Sequence, residues 1–259
     1  DLLRAALGTE RQHGDLPGAR RLLGLDGFFD GDLVVERDHV LEASAIQALA
    51  VEEAVKTKES AGSGEVTVLT LGPKGGTKEI RECLAKGGDK AVVLVDEEWQ
   101  TRDARATAKA LVAQLQSMSP DLVFMGRVAT DRDNAAVGPM VATYLGWPCV
   151  TDVIELEISG GAGTAKVETE HGVETVSFSC PAVITCQKGL NEPRYAGLKG
   201  IMAAKKKPLE EVEPSMEANQ MVTAEVALPA PRKEGRIVGE GPDAIPALIE
   251  ALQNEAQVL

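Results

Sequence analysis

Aromatic residues are scarce in this chain: two Trp, two Tyr and four Phe make up 3% of its 259 residues. Aromatic cages and base-stacking platforms are therefore not expected among its working parts. With 44% hydrophobic residues overall, the core must come from Ala, Val, Leu and Ile, a composition that suits helices packed on a buried parallel sheet. The length is enough to bury a real core in one large domain or two small ones. Cysteine and histidine are few and dispersed. Cys83, Cys149, Cys180 and Cys186 form no CxxC pair, and His13, His39 and His171 lie far from them. Neither a disulfide framework nor a zinc site is indicated, and the cysteines read as small buried hydrophobes in a reducing compartment.

Long apolar runs are also missing. Nothing approaches the ~20 residues that span a bilayer, and no apolar stretch with a cleavage site opens the sequence. A soluble intracellular protein without membrane insertion is expected. Positive charge is in deficit, with 27 Lys and Arg against 40 Asp and Glu and a net charge of -13. Such a chain repels nucleic acid and anionic membrane surfaces. The one dense basic run, Lys205, Lys206 and Lys207, is too short to reverse that and reads by itself as a solvated loop. Catalytic signatures are absent too: no G-x-S-x-G, HExxH, GxGxxG or Walker lysine motif, and no cysteine beside a local histidine. The acidic pairs Glu52-Glu53 and Glu97-Glu98 read as solvated faces. A protein that holds a ligand, and is not itself an enzyme, is the expectation.

What the sequence does have is alternation. The first forty residues are broken by glycines, and only Leu33 to Val35 is strand-like. Ile46, Leu49, Ala50, Ala54 and Val55 share a helical face up to about Lys58, and Gly62 and Gly64 end that helix. Residues 66–71 (VTVLTL) form a buried strand closed by Gly72-Pro73. A helix over 77–86, a strand over 91–95, a helix with Ala104, Ala108, Leu111, Val112 and Leu115 on one face, and a strand over 122–125 follow in turn. Val137, Met140, Val141, Tyr144 and Leu145 line the next helix. Apolar strands alternating with amphipathic helices predict an α/β fold, a parallel sheet with helices on both faces and right-handed crossovers. After Pro148 the stretches 149–156, 164–170, 173–179 and 183–186 have no helix between them and predict an antiparallel extension. A Pro- and Glu-rich stretch, an extended segment near residues 221–227 and a last helix with Ile245, Leu248, Ile249 and Leu252 on a narrow stripe complete the chain.

Ligands of such sheets bind beyond the carboxyl ends of the strands. The loop Gly126, Arg127, Val128, Ala129, Thr130, Asp131, Arg132, Asp133 and Asn134 lies between a strand and a helix, where Asp133 or Asn134 is placed to cap the helix. A phosphate or pyrophosphate is a reasonable guest at such an end, although a polar capped loop is also an ordinary structural feature.

One long stretch narrows the reading. Pro181-Ala182-Val183 leads into Leu190-Asn191-Glu192-Pro193-Arg194-Tyr195 and then Ile201-Met202-Ala203-Ala204-Lys205-Lys206-Lys207-Pro208. This resembles the signature of the electron-transfer flavoprotein beta (small) subunit family. Residues 50–55, Gly72-Pro73, 126–139 and Leu145-Gly146-Trp147-Pro148 also resemble family segments in the right order, and the likeness covers roughly residues 43–259. The resemblance implies an adenine-nucleotide alpha-hydrolase-like fold and a heterodimer with an alpha subunit that carries most of the FAD site. It also implies a buried AMP, or a second FAD in electron-bifurcating members. By position, Ser44, Ala45, Ile46 and Gln47, Leu71 through its backbone, and the loop from Gly126 through Ala135, Ala136 and Val137 would hold that nucleotide. The 186–208 stretch resembles the recognition loop that docks acyl-CoA dehydrogenases, with Leu190 as apolar anchor and residues 190–195 as its centre. Electrons would pass onward to a quinone oxidoreductase or another acceptor.

The resemblance further implies a nucleotide-binding α/β domain over 1–208, including an antiparallel extension over 149–188, and a C-terminal arm over 209–259 packed on the partner. A bacterial cytoplasmic setting is expected, with the mitochondrial matrix as alternative. The sequence departs from the family in four places. No opening valine-rich strand with a Lys-x-Val motif is found in residues 1–42, so the sheet edge is expected to be built differently. Ser44-Ala45-Ile46-Gln47 replaces a commoner Asn-Pro-Phe, Ala135-Ala136 replaces a polar pair, and Thr169 stands where Arg is frequent. Two competing readings are a nucleotide-hydrolysing α/β enzyme, which lacks its phosphate-activating residues here, and a stand-alone stress-type nucleotide-binding module, which leaves the 181–208 signature unexplained.

Overall fold

The computed structural model describes residues 32–36, 45–129, 132–225, 227–231 and 234–259, with the backbone alone for 32–36 and 45–47. Nine strands form one sheet: β1 (Asp32–Glu36), β2 (Glu65–Gly72), β3 (Lys90–Val95), β4 (Leu122–Gly126), β5 (Cys149–Ser159), β6 (Ala162–Thr169), β7 (Gly172–Ser179), β8 (Ala182–Cys186) and β9 (Leu209–Val212). Their order is β7-β6-β5-β8-β4-β1-β2-β3-β9. Helices α1 (Ala45–Ala61), α2 (Lys78–Ala85), α3 (Ala104–Met118) and α4 (Val137–Leu145) link the strands from β1 to β5. Helix α5 (Leu198–Ala204) precedes β9, and α6 (Ile245–Ala251) lies near the C-terminus.

The strands from β2 to β4 read as largely apolar runs because both of their faces are covered. Alternate residues separate cleanly between two cores. Val66, Val68, Ala91, Val93, Leu122, Phe124, Ala182 and Ile184 pack with α1, α2 and Ala204 of α5. Leu69, Leu71, Val92, Leu94, Val123, Met125 and Val183 pack with α3 and α4. Period-2 alternation thus sends each strand's side chains to opposite helical layers. Deleting a fully buried group such as Leu111, which is 0% exposed, is worth about 2–5 kcal/mol.

Several expectations are corrected. A first strand does exist, and β1 sits in the middle of the sheet between β4 and β2 rather than at an edge. The antiparallel extension is real for β5, β6 and β7, but β8 runs parallel to both β4 and β5. The burial patterns explain the split: all five residues of β8 are buried, as in a central strand, whereas β6 and β7 carry many exposed residues. β9 was hidden in an acidic stretch because a four-residue edge strand with exposed Glu210 and Glu211 presents no apolar run. Residues 221–225 form no strand. On α4 the buried positions are Gly138, Val141 and Ala142, while Tyr144 is 38% exposed and lies under Lys109 Nζ, 5.1 Å from its ring centre.

Gly138 sets that rotation of α4. A Cβ there would meet Thr185 Cγ2 of β8 at 2.6 Å, so the helix seats its smallest residue on the sheet.

The chain divides into two compact units, residues 1–222 and 223–259. In the second, none of the described residues is buried. Its α6 follows a 3-10 turn (Pro242–Ala244) and runs into a π turn (Leu252–Ala256), with Arg236 paired to Glu255.

Close approach of α5 to α2 yields a test. A Cβ on Gly200 would lie 2.3 Å from the carbonyl oxygen of Ala85, and no rotamer change relieves a clash with backbone. Gly200→Ala is expected to destabilise the protein by about 1–3 kcal/mol, read as a lowered urea midpoint with an unchanged m value. An unchanged midpoint would mean that α5 slides freely on α2.

Candidate nucleotide and docking sites

The connections fix where a ligand crevice lies. From β1 the chain steps through α1 and α2 to β2 and β3 on one side, then returns through α3 to β4 on the other side of β1. The reversal makes the β1/β4 boundary the topological switch point, beyond whose carboxyl ends ligands of open α/β sheets bind. β1 and β4 are level there, with Leu33, Val34 and Val35 opposite Leu122, Val123 and Phe124. Two helices, α1 and α4, begin at that end.

The sequence-predicted nucleotide residues fall around this crevice. Ala45, Ile46 and Gln47 form the first turn of α1. Leu71 is the penultimate residue of β2, one strand from the switch point, with its side chain buried in the α3/α4 core. Its backbone alone is free to serve a ligand. Gly126 ends β4. Arg127 N–H donates to Cys186 O at 3.3 Å, and its guanidinium pairs with Asp152 on the irregular part of β5. Val128 and Ala129 are half-buried, and Ala129 O accepts the N–H groups of Arg132 and Asp133 at 3.2 and 2.9 Å. Ser44, Thr130 and Asp131 lie outside the described residues.

The helix cap differs from the expected one. Neither Asp133 nor Asn134 is the N-cap of α4; that residue is Ala136, and no side chain caps the helix. Asn134 Oδ1 instead accepts the N–H of Ala136 at 3.3 Å, one residue before the helix. Asp133 and Ala135 have left-handed backbone, φ +48° and +47°, so the chain reverses sense twice in three residues. A left-handed alternation followed by a helix start without a side-chain cap is the kind of backbone that can offer N–H groups to anionic oxygens. The side chains of Ala135 and Ala136 are single methyl groups. The residues present therefore fit a phosphate or pyrophosphate group held through backbone.

Neighbouring loops brace the site. The Arg132 guanidinium donates to the carbonyls of Gln100 and Arg102, tying the loop after β4 to the loop after β3. Arg102 grips Asp96 with two bonds of 2.7 and 3.1 Å; that guanidinium, and the N–H of Glu98, hold the Asp96 carboxyl below its ordinary range against the burial that would raise it. Asp103 caps α3 by accepting the Ala106 N–H at 2.7 Å and also accepts from Gln220 and Met221. Burial pushes its carboxyl up, and those backbone donors more than offset that. Sequence reasoning missed Asp96, Arg102 and Asp103. The only signal available was the acid-rich run between a strand and a helix.

The second predicted site lies along α1. Leu190, the proposed apolar anchor, is buried in the chain's own core. Asn191 Nδ2 donates to Leu49 O at 3.0 Å and Glu53 Oε2 at 2.8 Å, while its Oδ1 is buried with no donor among the described residues. Glu192 is exposed, Pro193 half-buried and Tyr195 97% exposed. Arg194 reaches Glu52 through Nε at 2.9 Å and Nη2 at 3.0 Å, and Glu59 through Nη1 at 2.7 Å and Nη2 at 2.9 Å. These bonds raise the Arg194 guanidinium further above its ordinary value and hold the Glu59 carboxyl below its own. The reading of Glu52 and Glu53 as a solvated face is overturned: they are 7% and 5% exposed. Residues 49–55 are buried without a break, since α1 is covered by the sheet on one side and by this loop on the other. The basic triplet is likewise divided. Lys205 and Lys206 are exposed, but Lys207 Nζ donates to the carbonyls of Leu84 and Gly88 at 2.9 and 2.5 Å.

No group of three or more acids, cysteines and histidines able to hold a metal occurs among the described residues. None of the four cysteines is in a disulfide. Burial pushes the thiols of Cys149 and Cys180 up to about 11, the latter with help from Asp121, and raises Cys186 as well. They are protonated, and poor nucleophiles, at neutral pH. Among the described residues no helix is long and apolar enough to cross a membrane.

The fold is that of a doubly wound α/β protein whose strand order reverses at the β1/β4 boundary. Residues 32–217 match the electron transfer flavoprotein domain. The chain is 36% identical over 219 residues to the electron transfer flavoprotein subunit beta of Bacillus subtilis, covering 81% of this chain and 85% of that one. It is 34% identical over 230 residues to the subunit beta of Bradyrhizobium diazoefficiens, covering 89% and 92%. It is 36% identical over 217 residues to the mitochondrial subunit beta of Oryza sativa subsp. japonica, covering 82% and 84%. This chain belongs to the electron-transfer flavoprotein beta-subunit family.

The Asp96–Arg102 pair gives a pH test. Because the folded carboxyl titrates below its ordinary value of 3.8, its contribution is complete above that value and is lost as pH falls through the lowered one. Asp96→Asn is expected to cost about 3 kcal/mol at pH 7, and the deficit against the unsubstituted protein should shrink below about pH 4. Paired urea titrations at pH 7 and pH 3 check this; a deficit that does not shrink would mean the carboxylate charge is not what matters.

Proposed function

We propose that this chain is the small subunit of a heterodimeric electron carrier. With an alpha subunit it accepts electrons from flavin dehydrogenases, such as acyl-CoA dehydrogenases, and delivers them to a quinone oxidoreductase or another acceptor. FAD, held mainly by the alpha subunit, supplies the one- and two-electron chemistry. The chain's own nucleotide, AMP or a second FAD, sits in the β1/β4 crevice. There Ala45–Gln47 of α1 and the backbone from Gly126 to Val137 hold its phosphates, and Leu71 adds a backbone contact.

The observation that carries this reading is the loop after β4, which combines left-handed residues Asp133 and Ala135 with an uncapped start of α4 at the switch point. Residues 223–259 support a partner subunit: Leu228, Ile237, Ile245, Leu248 and Ile249 are 96, 84, 53, 45 and 43% exposed, and an arm without buried residues gains stability by packing on another surface. The 186–208 stretch is the docking face for the dehydrogenase. With Leu190 buried, its outward apolar groups are Tyr195, Leu198, Ile201 and Met202, at 97, 78, 44 and 56% exposure. A bacterial cytoplasmic setting is proposed, with the mitochondrial matrix as alternative.

Co-expression with the alpha subunit, denaturation of the purified complex and chromatography of the released nucleotides tests the assignment. About one FAD and one AMP per heterodimer is expected for a conventional carrier. Two FAD without AMP would indicate the bifurcating type. No FAD and no stable partner would overturn the proposal.

A further inference from the structure

We propose that Glu52, Glu53 and Glu59 of α1 are positioning residues for electron-partner docking: they fix the shape of the 190–195 loop through Arg194 and Asn191 and so hold Tyr195 outward as a preformed anchor. The inference rests on the docking reading above and adds the residues that make the loop competent.

The geometry is directional. Leu49, Glu52, Glu53, Lys56 and Glu59 recur at the three- and four-residue spacing of one helix face. Along that stripe Leu49 O and Glu53 take the Asn191 amide, and Lys56 pairs with Glu53 at 3.2 Å. Glu52 then takes both the guanidinium and the backbone N–H of Arg194, the latter at 3.0 Å, and Glu59 takes the other guanidinium edge. Catching main chain and side chain of one residue fixes the backbone at 194, and with it the direction in which residue 195 leaves. Leu190 closes the opposite end of the loop by burial. Immediately beyond the fastened residue 194 stands a phenol ring 97% exposed.

A ring so exposed contributes nothing to the fold of this chain, and the loop would need no such fastening to leave it in water. Immobilising an aromatic anchor before encounter lowers the ordering cost of association. Helix α5 continues the surface. Leu198, Ile201 and Met202, at i, i+3 and i+4, face outward while Ala204 is buried. One buried acid, Glu52, and one exposed acid, Glu59, on the same arginine also explain why lysine is a poor substitute: only the planar fork can serve two carboxylates at once.

The test uses the flavin-loaded heterodimer and, as partner, a medium-chain acyl-CoA dehydrogenase reduced with octanoyl-CoA. Arg194→Lys is expected to speed amide hydrogen exchange in residues 187–197 and to raise KM for the heterodimer, each by about tenfold, the size of one lost charge-assisted bond. kcat, flavin content and the melting temperature of the complex should stay close to the unsubstituted values. Should Arg194→Lys fail to fold, Glu59→Gln removes one arm at the exposed end and should move both quantities in the same direction by less. Tyr195→Ala should raise KM without changing loop exchange. If Arg194→Lys, or Glu59→Gln in its place, leaves KM unchanged while Tyr195→Ala raises it, docking stands and the positioning role is overturned, whatever the loop exchange does. If Tyr195→Ala has no effect on KM, or the unsubstituted heterodimer accepts no electrons from this dehydrogenase, the docking reading falls and the inference falls with it.

Discussion

A parallel sheet buried on both faces has no interior place for polar work. Each strand from β2 to β4 sends alternate side chains into one of two apolar cores, and an unpaired polar group in either would cost more than it contributes. Chemistry is therefore displaced to the carboxyl ends of the strands, and the order of strand addition decides which ends diverge enough to leave a crevice. The reversal between β1 and β4 does this. The central position of β1 thus matters more to the site than its short sequence suggests, because without it the two helix starts that frame the crevice would not be neighbours.

Helix α1 works under the opposite constraint. Covered on both sides, it has seven consecutive buried residues, two of them glutamates. Buried carboxylates are tolerated only when donors meet them. Here the donors come from a loop more than 130 residues away in sequence, as Asn191 and Arg194. The same helix begins beyond the carboxyl end of β1, where the nucleotide is proposed to lie, and further along fastens the 190–195 loop. One rigid element thereby sets the geometry of both surfaces, while α5, pressed on α2 at Gly200, carries the loop onward.

Legibility in the sequence followed this division. Strands β2, β3 and β4 and helices α1, α2 and α3 were readable because burial on two faces produces apolar runs and a helical stripe produces a 3.6 period. β8 was assigned to the antiparallel extension because order along the chain carries no sign of insertion between β4 and β5; only its fully apolar run, set against the mixed pattern of β6 and β7, hinted at a central place. β9 has too few residues to show a pattern. Glu52 and Glu53 were misread for a deeper reason. Adjacent acids on a helix signal solvent unless a cation arrives from elsewhere, and sequence spacing says nothing about long-range arrivals. The seven-residue interval between Glu52 and Glu59, two turns along one face, was the available hint. The loop after β4 was placed correctly at a strand end, but its cap was not, because left-handed backbone at Asp133 and Ala135 moves the helix start beyond the residues that usually cap it.

That last point bears on how much side-chain identity the crevice requires. Ala135 and Ala136 stand where polar residues are common in the family, which would remove two hydrogen bonds from a site built on side chains. In a site built on main-chain N–H groups the relevant property is conformation, and alanine interferes little because it adds only a methyl group. A non-glycine residue in the left-handed region carries a modest penalty, and Asp133 and Ala135 both accept it. Local strain of this kind persists where the surroundings over-determine the backbone; here they do so through the Ala129 carbonyl, the Asn134 side chain and the Arg132 brace to the neighbouring loop. The loop is held from outside in a shape its own residues do not favour, and a backbone site can tolerate side-chain replacement for as long as those braces remain.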